Sequence, residues 1–231
     1  MSFLYVLPSA EQKETANNIK QGLQMHQLKQ WLESLTSQHV VVGYGSLLSK
    51  DSRERFSNIH TTSLPVTVQG FERAWVTRSI QEKQTYVGAV TKSSSQLNAQ
   101  LIPTDINPSL KEREKDYRFV KVNLQDIAFV NEGLDNLCLS YDALEQLSFW
   151  ICETLDCVPP SLDFPVNQSY VDTCMSGCLE HGGVEEAKAF FATTQLWEHP
   201  RSNDRKNPQY PRAAKVSRDI QDEIDRIIGH V

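Results

Sequence analysis

At 231 residues the chain is long enough for one substantial core, and 39% hydrophobic with 23% charged residues is the composition of an ordinary globular protein. A formal net charge of −6 argues against nucleic acid as a partner, because phosphate binding needs clustered Lys and Arg. No stretch approaches the ~20 apolar residues of a membrane span, so no membrane partner is expected either.

The first residues, Met1 to Pro8, lack a basic region, and their apolar run is too short for a secretory signal. Five cysteines, an odd number placed late in the chain, do not form a disulfide framework. Both features lead to the expectation of a reducing, cytoplasmic setting. Ser9 followed by Gln12 resembles a capping box, and Ile19, Leu23, Leu28, Trp31, Leu32 and Leu35 recur at roughly helical spacing. Residues 1–38 are therefore expected to form an N-terminal helical extension, with 39–231 as a single domain.

From residue 39 to about 130 the chain reads as strands. Val40–Val42, Leu64–Gly70, Ala74–Ser79, Thr85–Thr91, Leu97–Pro103, Tyr117–Leu124 and Ile127–Val130 are the candidates, with the polar spacer Lys92–Gln96 as a hairpin loop. Beyond 140 the pattern turns helical. Leu144, Leu147, Ile151 and Leu155 predict one helix, ended by Pro159 and Pro160. Ser169–His181 and Val184–Leu196 predict two more, split by Gly182 and Gly183, and Ser217–Ile228 predicts the last.

Two segments carry chemistry. In the first, Val40-Val41-Val42 feeds straight into Gly43-Tyr44-Gly45-Ser46-Leu47. Glycines at a strand end allow a sharp turn with uncovered N–H groups, a geometry suited to a carboxylate or an oxyanion. The second is Leu110-Lys111-Glu112-Arg113-Glu114-Lys115-Asp116-Tyr117-Arg118, a polar turn leading into an alternating strand. Together these resemble the γ-glutamylcyclotransferase superfamily, which includes the glutathione-degrading ChaC-type enzymes. In that family a Tyr-Gly-Ser loop follows the first strand, and a later Leu-x-x-Arg-Glu-x-x-Tyr-x-Arg segment supplies the essential glutamate. Gly70-Phe71-Glu72-Arg73-Ala74-Trp75 also looks like the family's strand after the loop, whereas Ala99 stands where relatives often have glycine. The likeness covers roughly residues 39–125.

The resemblance implies an α+β fold, a small mixed β-barrel of about six to seven strands flanked by helices. It implies cofactor-independent cyclisation of a γ-glutamyl substrate to 5-oxoproline, with release of an amine, amino acid or dipeptide. Glu114 matches the family's catalytic glutamate. Tyr44, Gly45, Ser46, Leu47 and Tyr117 are the expected substrate-binding residues, the turn supplying N–H groups and Tyr117 a phenol. Leu47 after Tyr-Gly-Ser resembles ChaC-type sequences more than the Tyr-Gly-Ser-Asn of the broader γ-glutamyl–amino-acid enzymes, which favours glutathione. A γ-glutamylamine substrate stays open, as does a non-catalytic binding or interaction protein retaining the fold.

Other features have plainer readings. Ser46 lacks the Gly-x-Ser-x-Gly setting of an elbow nucleophile. Cys174, Cys178 and His181 share one helix face, but without the paired loops of structural zinc sites they read as core, and no metal is expected. The loop from Trp197 to Arg212 is long enough to be functional, and the sequence leaves open whether Arg205 or Arg212 reaches a pocket.

Overall fold

The computed structural model describes residues 28–129 and 138–229. The expected N-terminal extension therefore lies mostly outside the described residues, and only 28–33 (α1) are seen as helix. Its Leu28 and Trp31 are buried in the main core.

β1 (His39–Gly43) is the centre of the architecture. Val40, Val41 and Val42 are all but fully buried, as expected of β-branched residues packed on both faces of a sheet. β1 pairs antiparallel with β3 (Gln84–Pro103) and parallel with β6 (Ser148–Thr154). β2 (Leu64–Ser79) continues the sheet beside β3, with β5 (Ile127–Phe129) and β8 (Thr194–Gln195) on β2, and β4 (Tyr117–Val122) on β6. A single further pairing, Ala89 with Glu153, joins β3 to β6. The result is a mixed seven-stranded sheet curled into a half-barrel and flanked by helices α2 (Lys50–Ser57), α3 (Pro108–Arg113), α4 (Cys138–Glu145), α5 (Gln168–Thr193) and α6 (Arg218–Gly229). β7 (Val166–Asn167) and β9 (Arg201–Ser202) form a separate parallel pair.

Two local expectations are corrected. The segment 148–154 is a strand, not the end of a helix. Leu144, Leu147 and Ile151 do recur at helical spacing, but Phe149, Trp150 and Ile151 prefer a pleated surface, and β1 supplies a partner from over a hundred residues away. The four strands expected between 64 and 103 are two long ones turning at residues 80–83. The polar residues 92–95 are an exposed bulge on β3 opposite Gly70, whose φ of 84° lies in the left-handed region. The expected break at Gly182-Gly183 is present: Gly183, at φ 66° and ψ −155°, is non-helical and divides α5 into two helical stretches.

Packing sets the site. A small cluster of Val41, Leu47, Ile59, Ile102 and Leu110 lies apart from the main core and ties the turn after β1 to α3. α5 crosses the same turn closely: a Cβ on Gly177 would stand 2.3 Å from the Leu48 carbonyl carbon. Only glycine allows that approach.

Candidate active site

A cleft with about 410 Å³ of open space, its mouth included, is lined by the turn 42–47, by Arg113, Glu114 and Tyr117, and by Cys152 and Arg212. Its walls are aromatic: Tyr210 packs edge to face on Tyr86 (5.5 Å) and Tyr170 (4.7 Å), and Tyr86 and Tyr170 are tilted against each other at 4.7 Å.

Every carbonyl of the turn is occupied. Tyr44 O accepts from Arg73 Nη1 at 3.0 Å, Gly45 O from Leu48 N at 2.9 Å, and Ser46 O from Ser49 N at 3.3 Å. Arg53 Nη1 holds the carbonyls of Leu47 (3.2 Å) and Leu48 (3.0 Å). Among the described residues no acceptor meets the N–H groups of Gly45, Ser46 or Leu47. A trans peptide points its N–H opposite its C=O, so fixing the carbonyls inward leaves donors on the other side. Two buried guanidiniums stand behind this row, which gives the turn a charge and geometry suited to an anion. Arg73, fully buried, makes six hydrogen bonds and stacks 3.9 Å from the Phe190 ring. Burial lowers its pKa to about 10, still charged at neutral pH.

Glu114 arrives from α3. Asn107 caps that helix, its Oδ1 accepting from Leu110 N at 2.9 Å, and Pro108 at the first helical position is pre-set for it. Buried Leu110 and Arg113 lie three residues apart on the inner face. Glu112 points outward, 78% exposed, beside Lys115. Glu114 ends the helix and turns into the cleft, its side chain 11% exposed. Arg113 Nη2 donates to Ser46 Oγ at 2.8 Å, while its Nε has no hydrogen-bond partner and faces Glu114 Oε1 at 3.6 Å. Burial pushes the Glu114 carboxyl above its ordinary range, against the opposing pull of Arg113, Arg212 and the Cys152 thiol. Among the described residues no N–H or O–H donor reaches its carboxylate within hydrogen-bond distance.

The structure thus places all six sequence-derived site residues around one cleft, though not all with polar atoms to spare. The Tyr44 phenol is committed to the fold: it donates to Cys152 O and accepts from Ala89 N at 3.0 Å, joining β3 to β6. The Tyr117 phenol donates to Val87 O at 2.7 Å. Ser46 Oγ accepts from both Arg113 and Tyr210 (2.7 Å), which leaves its own proton to donate.

The long loop after β8 contributes as well. Asp204 accepts from Ser169 N (2.7 Å), Ser169 Oγ (2.6 Å) and Gln209 N (2.7 Å), which pins the loop to the start of α5. Arg205 grips Asp172 at 2.7–2.8 Å and also reaches Asp225, away from the cleft. Of these two arginines, Arg212 lines the cleft. Sequence reasoning missed Arg53, Tyr86, Cys152, Tyr170 and Tyr210, and gave Arg73 no role. An arginine at an inward position of an otherwise apolar strand was the one available signal. Cys174 and Cys178 are buried core, and burial lowers the pKa of His181 to about 4. Among the described residues no group of three or more His, Cys, Asp or Glu is placed to hold a metal, and no helix is long and apolar enough to cross a membrane.

No protein-family model and no curated protein matches the sequence. Solved structures do overlap it. An uncharacterized human protein, loc79017, shares 15% identity at a TM-score of 0.47, over 80% of this chain and 97% of that one. A gamma-glutamyl cyclotransferase shares 14% at 0.45, over 81% and 98%. A yeast gamma-glutamyl cyclotransferase specific to glutathione shares 13% at 0.38, over 83% and 97%. Identities this low concern the fold alone, and overlaps below 0.5 add no weight to the site.

Proposed function

We propose that the chain cyclises a γ-glutamyl substrate to 5-oxoproline and releases an amine, amino acid or dipeptide. The observation that carries this reading is the pairing, within one cleft, of a turn that offers only donors with a shielded carboxylate that has few donors of its own. The sequence likeness at both segments supports the same chemistry.

The reaction needs little else. The substrate's α-amine and γ-carbonyl are already tethered, and well-oriented intramolecular attack is worth roughly 7–11 kcal/mol of barrier. The turn's N–H groups and the Ser46 hydroxyl would hold the substrate's carboxylate or the γ-carbonyl oxygen as charge develops on it. Glu114 takes a proton from the substrate's ammonium, and the freed amine closes the five-membered ring on the γ-carbon. As the tetrahedral intermediate collapses, the ring nitrogen sheds its second proton, the original C–N bond breaks, and the leaving nitrogen takes up both protons by way of the Glu114 carboxyl and departs as an ammonium. No water, metal or redox partner enters the balance. A carboxyl raised above its ordinary range serves both transfers better than an exposed one.

Incubation of purified protein with glutathione, γ-glutamyl amino acids and γ-glutamylamines, followed by chromatographic assay for 5-oxoproline, tests the proposal. Release from at least one of them is expected. Binding without release would leave a binding protein in its place.

A further inference from the structure

Resting on that reading, we propose that Arg212 determines specificity by taking a carboxylate on the leaving group. The substrates are then γ-glutamyl amino acids or γ-glutamyl peptides, not γ-glutamylamines.

Three charged side chains line the cleft: Arg113, Glu114 and Arg212. Arg113 is spent inside, bonded to Ser46, Ser52 and Ser57 with its Nε towards Glu114. Arg212 is differently held. Its Nε donates to the Tyr210 phenol at 3.2 Å, and its guanidinium lies over the rings of Tyr210 (5.1 Å) and Tyr86 (6.0 Å). These contacts fix its plane, as stacking does for arginine. Its Nη1 reaches Glu82 Oε1 only at 3.4 Å, beyond the ~2.7–2.9 Å of a strong charge-assisted bond. Glu82 lies outside the cleft lining and also takes the Tyr86 phenol. Arg212 Nη2 has no acceptor among the described residues.

An oriented guanidinium with donors in reserve, partly open to solvent, is built for a carboxylate. Removing the tail carboxylate would leave Arg212 facing an apolar group. The glutamyl head is common to both substrate classes and is met by the turn and Glu114, so Arg212 can read the tail.

The test compares γ-glutamylalanine with γ-glutamylethylamine, which differ only in that carboxylate. Turnover is measured with the native chain, Arg212→Lys and Arg212→Met, and ligand binding is measured by calorimetry on Glu114→Gln. The native chain should favour γ-glutamylalanine about 10- to 100-fold in kcat/KM, mostly through KM. Arg212→Met should bring the ratio near unity, and Arg212→Lys should keep part of it as a point charge. Because the readout is a ratio, a general loss of activity does not mimic the result, and Arg212→Lys serves if the Met variant misfolds. Turnover of both substrates with no preference, or a ratio unchanged in Arg212→Met, overturns this assignment and leaves cyclisation standing. A binding preference without 5-oxoproline overturns cyclisation and leaves Arg212 standing. Neither binding nor turnover overturns both.

Discussion

Glu114 stands just before β4 and Glu153 lies within β6, the strand paired with β4, and their side chains are 11% and 9% exposed. Their protonation behaviour is opposite. Burial would raise Glu153, but one oxygen accepts Thr91 Oγ1 (2.6 Å) and Thr91 N (3.1 Å) and the other accepts Arg118 Nε (2.9 Å) and Nη2 (2.7 Å). Those donors outweigh burial and hold it below the ordinary range. Glu114 has only the Arg113 guanidinium at 3.6 Å, Arg212 and the Cys152 thiol to oppose its burial, and rises. Shielding alone therefore does not make a base. What matters is how many donors remain to replace the lost water.

The comparison predicts different losses for the same substitution. Glu114→Gln should fold and bind substrate while turnover falls at least the ~10²–10⁴-fold of general acid–base catalysis, read as 5-oxoproline release. Gly45→Ala comes next. Its Cβ would stand 2.8 Å from Val87 Cγ2 and 3.0 Å from the Tyr170 hydroxyl, so the turn must shift. Misplacement on that scale should reduce turnover about 10- to 100-fold and destabilise by about 1–3 kcal/mol, measured by kinetics beside a denaturant curve. Glu153→Gln should lose about 1–3 kcal/mol in the same unfolding assay, because charge-assisted bonds go, yet keep activity within a few-fold. A dead Glu153→Gln that still folds would break the comparison.

The smaller effects sharpen it. Folding favours protonated Glu114, so its contribution to stability is full below the ordinary carboxyl pKa of 4.5 and is lost as pH rises through the raised folded value. At neutral pH Glu114→Gln should melt no lower than the native chain, with any gain shrinking in melts run below about pH 4. Glu112→Gln, in the same charged run but 78% exposed, should change stability by no more than about 0.5 kcal/mol and leave turnover near native.

Glu114 and the Tyr44–Leu47 turn were legible because each sits in a short local pattern whose spacing is fixed by one element. β6 was not, because its strand character comes from pairing with β1, and the helical spacing of Leu144, Leu147 and Ile151 masked it. The uncovered N–H groups of the turn were expected from its glycines, but not the capture of its carbonyls by Arg73 and Arg53, which leaves that face with donors only. Tyr210 and Arg212 reach the cleft only because Asp204 pins their loop, a contact across 35 residues that no local pattern announces. The sequence could mark Arg205 and Arg212 as a pair. Only packing separates the clip from the cleft.

The pH dependence of kcat/KM for 5-oxoproline release, native chain against Glu114→Gln, tests the central claim most directly. An acidic limb in this profile reports the ionisation of the free enzyme's essential base. The native chain should show that limb above the ordinary glutamate value of 4.5, and the residual rate of Glu114→Gln should lack it. No 5-oxoproline at any pH, or an acidic limb that survives in Glu114→Gln, would contradict the assignment of Glu114 as the base.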